Sequence, residues 1–323
     1  MNSMFMNCYN VKSIDISNFK TDNVIEIQAI FEGCNSLTSI DLSNFKTNNV
    51  NNMFGMFDEC YSLEELKINF NTNLVTNMGN MFKDCYLLTS LDVTSFNTTL
   101  VESMSFIFEN CFSLESLDLS NFKTDNLFEM ENMFTNCSSL KFLDISNFNT
   151  INFYSMSDMF RDCKSLTSLD LSSFKTDNVF SMSNMFKNCE SLKSLDLKHF
   201  KTEKLSSISN MFNGCNSLEK LDISNFVTSK ITFMSNLFYN CYSLTFLYLS
   251  NFDTEKVINM DGMFYNCSSI EFLDLSSFNT NNCLSFQNTF YECNKLTILV
   301  NPKNCNNMLL ELPSYVKYEN ITI

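Results

Sequence analysis

The chain has 323 residues, sets 36 acidic against 21 basic side chains for a formal charge of −15, and is 45% hydrophobic with 34 Phe, no Trp, two Pro and five Gly. That charge argues against a nucleic-acid partner, whose phosphates are met by Lys and Arg, and no apolar run reaches the roughly 18 residues of a membrane helix. With so little Gly and Pro, tight turns fall to Asn, Asp and Ser.

The pattern is set from the first residue. Met1, Met4, Phe5 and Cys8 have the same mutual offsets as Met53, Met56, Phe57 and Cys60. Cysteines then mark a period of 26 residues: Cys8, Cys34, Cys60, Cys85, Cys111, Cys137, Cys163, Cys189, Cys215, Cys241, Cys267 and Cys293. The step from Cys60 to Cys85 is one residue short, because Asn69-Phe70 replaces the three residues of an S-x-F turn. A fixed period of this size describes stacked supersecondary units, none of which buries its apolar face alone. One elongated repeat domain is therefore predicted over residues 1–300. The chain opens inside a repeat, so it is expected to lack an N-terminal cap and to be the C-terminal part of a longer protein, or to have its start assigned too late.

Within the unit Ser36–Cys60, Leu37, Ile40 and Leu42 alternate with polar Ser39, Asp41 and Ser43, as in a half-buried strand. Phe45 and Thr47 follow in a turn. Val50, Met53, Met56, Phe57 and Cys60 are spaced as one face of a short helix, which Thr47 or Asn48 is placed to cap. The predicted fold is an α/β repeat solenoid, a right-handed array of about twelve strand-turn-helix units with a parallel concave sheet. Two Phe spines run through it, one from Phe19 and Phe45 to Phe278, the other from Phe5 and Phe31 to Phe290. Both are read as core.

After Cys293 the pattern decays. Leu296, Ile298 and Val300 form a last strand, and Asn301-Pro302 interrupts the unit. Residues 301–323 keep Leu309, Leu310, Leu312, Val316, Tyr318, Ile321 and Ile323 without the M-F-x-x-C box, and are read as a C-terminal cap.

The unit M-F-x-x-C-x-S-L-x-x-L-D-L-S-x-F-x-T resembles the BspA-like leucine-rich repeats of bacterial and protozoan surface proteins. That resemblance, spanning residues 1 to about 300, implies cell-surface display or secretion and adhesion to host or neighbouring-cell proteins. It supplies no catalytic residues. No lipoprotein or secretory signal is visible at the chain's start, and a cytoplasmic scaffold stands as the alternative.

The residues themselves offer little to an enzyme. Ser, Thr and Asp recur in every unit, whereas an active site is a single convergent constellation. His199 is the one histidine, and neither a C-x-x-C pair nor a phosphate-binding motif occurs. A non-catalytic protein without cofactor or metal is expected. Twelve of the fourteen cysteines share the core phase and read as buried free thiols; Cys283 and Cys305 lie off it and are the candidates for reactivity or pairing. Four glycosylation sequons begin at Asn97, Asn136, Asn266 and Asn320, and carry little weight in so Asn-rich a chain.

The most suggestive feature is a column of carboxylates between the two buried strand residues: Asp15, Asp41, Asp92, Asp118, Asp144, Asp170, Asp196, Asp222 and Asp274. Lys67, Tyr248 and Val300 stand in the remaining units. Stacked like charges repel. Either each Asp bonds its adjacent Ser or turn amide, or the column attracts cations or a basic partner. Beside it, outward Ser becomes Phe142, Phe246, Phe272 and Ile298. Phe246, Tyr248 and Phe272 are predicted to form one exposed patch, read as a contact surface or as packing beneath the terminal cap. The candidate partner-binding set is therefore Asp118, Asp144, Asp170, Asp196, Asp222, Phe246, Tyr248 and Phe272, facing a protein ligand with a basic segment.

Overall fold

A computed structural model describes residues 1–321; Ile323, counted above with the terminal apolar residues, lies outside the described residues. The chain forms two compact units, Met1–Phe153 with Met159–Phe174, and residues 154–158 with 175 onward. Each is a stack of coils. The first carries β1 (Ser39–Asp41), β2 (Glu65–Lys67), β3 (Ser116–Asp118) and β4 (Phe142–Asp144). The second carries β5 (Lys220–Leu221), β6 (Phe246–Leu247), β7 (Phe272–Leu275), β8 (Thr297–Val300), α1 (Pro302–Leu310) and β9 (Lys317–Asn320). Pairing is parallel throughout: β1 with β2, β3 with β4, β5 with β6, and β7-β8-β9 as one sheet.

The strands are short because each coil spends only a few residues in extended backbone before turning. In β3 Leu117 points inward between exposed Ser116 and Asp118, the alternation expected of a sheet with one buried face. The interior is filled by columns of identical side chains. Phe57, Phe82, Phe108 and Phe134 stack nearly parallel at 5.7–5.8 Å between ring centroids. In the second unit Phe212, Phe238, Phe264 and Phe290 do the same at 5.5–5.7 Å. All eight are buried. Truncating one to Ala removes ring contacts on both sides and costs about 3–5 kcal/mol.

The expected helix is absent. Among the described residues the one α-helix is α1, and the M-F-x-x-C segments are ladders of tight turns. From Asn184 to Cys189 the backbone N–H groups alternate in destination. Asn184, Phe186 and Asn188 donate to Ser209, Met211 and Asn213 of the next coil, while Met185, Lys187 and Cys189 donate three residues back, all at 2.6–3.2 Å. The cause is two left-handed residues per coil, here Asn184 and Asn188, both at φ 58°. An α-helix cannot accommodate them. Asn, Asp or Gly fills most such positions, being the residues that adopt this conformation at least cost. Val50, Met53, Met56, Phe57 and Cys60 are buried as expected, but on a turn ladder that bonds to its neighbours like a sheet.

Thr47 consequently caps nothing. Its hydroxyl donates to the carbonyl of Asn71 (2.9 Å) and accepts the N–H of the same residue (2.8 Å), clasping the next coil. The clasp recurs at Thr72 with Asn97, Thr124 with Asn149, Thr176 with Lys201, Thr228 with Asp253 and Thr254 with Asn279. These threonines are buried, and the paired bonds satisfy hydroxyl, N–H and C=O together.

The final coil slips by one residue. Phe272 pairs with Thr297 and Leu275 with Val300, a spacing of 25. A one-residue slip exchanges faces, so Ile298 and Val300, expected to point outward, are buried. Leu299 stands beside Asp274 instead. Asn301 caps α1 by accepting the Lys303 N–H at 3.1 Å, and Cys305 and Met308 are its buried residues. Of the other terminal apolar residues Val316 is buried, whereas Leu310 and Tyr318 are exposed.

Candidate partner-binding face

Each carboxylate of the strand column is held by the turn that ends its strand. In the first unit Asp118 Oδ1 accepts the Ser120 N–H at 2.9 Å, Asp144 that of Ser146 at 3.0 Å and Asp170 that of Ser172 at 2.9 Å. In the second, Asp196 accepts from Lys198 and Asp222 from Ser224, both at 3.1 Å. A short acceptor two residues before an amide is the side-chain chemistry of these turns. The local role offered by the sequence is thus present. Bonds from Ser120 hold the Asp118 carboxyl below its usual range; those from Ser224, with Lys198 nearby, do the same for Asp222.

Repulsion along the column is reduced by neighbouring cations. Asp41 and Lys67 are partners in the β1–β2 register. Lys198 Nζ lies 3.5 Å from Asp222 Oδ2. Asp118 and Asp144 are register partners, and Asp196 bridges to Asp222. Each unit therefore presents its own outward carboxylates.

The aromatic patch belongs to the second unit. Phe246, Tyr248 and Phe272 are 45%, 49% and 51% exposed. The Phe246 and Tyr248 rings meet edge to face at 4.4 Å. Phe246 is the register partner of Lys220, and Phe272 of Thr297. About half of the surface of each of the three aromatics is open to solvent, so the terminal segment does not bury them.

Cysteine chemistry is muted. All fourteen thiols are unbridged, and Cys8 alone is not fully buried. Most ladder thiols point at the preceding coil: Cys137 Sγ lies 3.1 Å from the Phe108 carbonyl, and Cys241 Sγ 3.0 Å from that of Phe212. A small side chain with a weak S–H donor suits this slot. Burial pushes the Cys34 thiol up to about 11 and Cys241 to about 12. Cys283 and Cys305 do not behave as the exceptions anticipated: both are buried, Cys305 donates to the Phe278 carbonyl, and burial raises both pKa values. Among the described residues no group of three His, Cys, Asp or Glu is placed to hold a metal, and no helix is long and apolar enough to cross a membrane. The sequon residues Asn136 and Asn266 are engaged in the turn ladder, bonding Asn110 and Asn240.

Two features on the turn side escaped the sequence reading. Tyr239, Tyr265 and Tyr291 stack at 4.3 and 5.0 Å. In the first unit Lys83 lies between Asp84 (3.3 Å) and Asp58 (4.0 Å), and Asp58 also accepts from Asn80 Nδ2 at 3.0 Å. Burial pushes the Asp58 carboxyl up to about 6. The tyrosine spacing was visible in the sequence; the Asp58 cluster needed the coil geometry.

The chain is similar to several solved repeat structures. TLR13 in its ssRNA13 complex shares 17% identity over 92% of this chain and 52% of its own, with a TM-score of 0.31. A leucine-rich-repeat protein of Leptospira interrogans shares 15% over 89% of this chain and 73% of its own, at 0.32. The octameric complex of Latrophilin 3, Unc5D and FLRT2 includes a chain sharing 14% over 89% of this one and 84% of that chain, at 0.30. This chain spans about half the length of the TLR13 chain. No curated protein matches it. The family described as "Mycoplasma protein of unknown function, DUF285" matches residues 1–88, 63–141, 104–221 and 206–310, and the chain belongs to that family.

Proposed function

We propose that this is a non-catalytic protein-binding repeat protein of the BspA-like kind, displayed at the cell surface or secreted, that contacts host or neighbouring-cell proteins through its strand face. One observation carries the reading. The buried positions of the coil hardly vary, whereas the outward strand positions change within one unit, from Ser to Lys and Phe and from Asp to Tyr. Invariance inside serves stacking; variety outside serves recognition. The outward carboxylates suit a partner with a basic segment, drawn in by a field that salt weakens.

A cytoplasmic scaffold is the second reading. It is favoured by fourteen unbridged thiols, a state typical of reducing compartments. Labelling intact cells with a membrane-impermeant biotin reagent separates the two locations. The binding claim is tested with a fluorescent peptide alternating Arg, Lys and Gly. Replacing Asp144, Asp170 and Asp196 by Asn should slow association and flatten its salt dependence; unchanged kinetics at every salt concentration would remove the strand face from consideration.

A further inference from the structure

In the second unit the outward strand residues form a two-column grid. One column runs Lys220, Phe246, Phe272; the other runs Asp222, Tyr248, Asp274. On one side β5 pairs with β6, which sets Asp222 in the coil before Tyr248. On the other, β6 and β7 are not paired as strands, but Ser277 Oγ donates to the Leu249 carbonyl at 3.3 Å and Thr254 clasps Asn279, so the coil carrying Phe272 and Asp274 is the next in the stack. Tyr248 therefore stands between two coils that each carry an outward carboxylate, with aromatic residues on the adjoining column. Asp274 accepts the Ser276 N–H through Oδ1, and Asp222 shares its Oδ2 with Lys198. The edge-to-face contact of Phe246 with Tyr248 uses one edge and one face, and about half of each ring stays in solvent.

From this grid we propose that Phe246, Tyr248 and Phe272, bracketed by Asp222 and Asp274, form a seat for an arginine side chain of a partner protein. The inference rests on the strand-face reading above and specifies the chemistry of its anchor. An aromatic face attracts a cation through its quadrupole, and Arg is the commoner cation in such contacts. A planar guanidinium can stack on the ring while its N–H fork reaches a carboxylate, which a Lys ammonium cannot do as well. Three exposed aromatics alone would suit any apolar partner. Two carboxylates flanking Tyr248 make the position poor for an apolar or acidic side chain and favourable for a cation.

The test uses three fluorescein-labelled peptides of the same Gly-rich sequence, bearing four arginines, four lysines or four citrullines, titrated against the full chain at low and moderate salt. The expected order is arginine tighter than lysine by about threefold to fivefold, the range an exposed cation–π contact supports, with citrulline weaker than both by at least about tenfold, since it keeps the shape and loses the charge. Phe246→Leu with Tyr248→Leu keeps apolar surface but removes the rings; it should abolish the arginine preference, weakening the arginine peptide more than the lysine peptide. Asp222→Asn with Asp274→Asn should weaken both cationic peptides. Circular dichroism of each variant confirms the fold.

If the leucine variant retains the arginine preference, or citrulline binds as arginine does, the seat is wrong. Should the peptides bind through Asp144 and Asp170 with no effect of the aromatic variants, the strand-face reading survives and this anchor falls. Absence of binding by all three peptides at low salt overturns both. A concentration-dependent dimer lost on Phe246→Ser would assign the patch to a second copy of this chain and also overturn the proposal.

Discussion

The Thr124 hydroxyl donates to the Asn149 carbonyl at 2.9 Å and accepts the Asn149 N–H at 2.7 Å. One buried side chain thus satisfies both backbone groups of a residue in the next coil. Thr124→Val preserves shape and leaves those groups without their partner, a loss of about 1–3 kcal/mol. Thr124→Ser keeps the hydroxyl and should lose less. Urea unfolding of the three proteins checks the order; equal midpoints for valine and threonine would show that the clasp contributes nothing.

The left-handed turn positions make a second prediction. Asn288, at φ 57°, is exposed. Asn288→Gly should be tolerated, whereas Asn288→Val places a β-branched residue in a conformation costing L-residues roughly 1–2 kcal/mol. If valine proves as stable as glycine, the turn ladder is not held by backbone conformation at this site.

Thiol reactivity is the third. The thirteen cysteines other than Cys8 should resist alkylation in the native protein because they are buried, and burial raises the pKa of Cys34, Cys283 and Cys305 among them. Cys8 should label first. Denaturation without reductant should then expose most of the fourteen; recovery of fewer than half would mean that bridges exist in the protein as isolated.

Acid–base behaviour gives the fourth. The Asp58 carboxyl is raised from 3.8 to about 6 on folding, chiefly by burial. A raised value means that the folded state prefers the protonated form. The favourable contribution is fully present below the unfolded value and is lost as pH climbs through about 6. Asp58→Asn should therefore gain stability relative to the parent between pH 4 and about 6.5, then hold a constant difference above that. Parallel pH–stability curves for the two proteins would contradict this assignment.

How much of this could be read beforehand depends on which force set each element. Period, strand phase and both Phe spines were legible, because burial repeats them at fixed intervals and Leu117 or Phe108 has no other place to go. The helix was misread. Met53, Met56, Phe57 and Cys60 do recur at helical spacing, but the Asn, Asp or Gly that fills most of the positions two residues before and after the Phe was the stronger signal. Thr47 was credited with a cap because a cap needs only local sequence, whereas its actual partner, Asn71, lies 24 residues on. The slip that buries Ile298 arises from pairing with β7; its mark in the sequence was Ile298 and Val300, apolar where most other coils carry Ser and Asp, and that mark was taken for outward variation. For the candidate face, the outward positions of Phe246, Tyr248 and Phe272 followed from alternation alone; the turn bonds of the Asp column stood as one of two readings, and Lys198 beside Asp222 was not foreseen.

The strand face as the recognition surface is tested most directly by hydroxyl-radical footprinting of the full chain, with and without a saturating arginine-rich peptide. Phe246, Tyr248 and Phe272 lie outward on the strands, and Tyr239, Tyr265 and Tyr291 line the turn ladder of the same unit. The account predicts peptide-dependent protection of the first three with the second three unchanged. Protection of the tyrosine stack with Phe246, Tyr248 and Phe272 still fully reactive would contradict it.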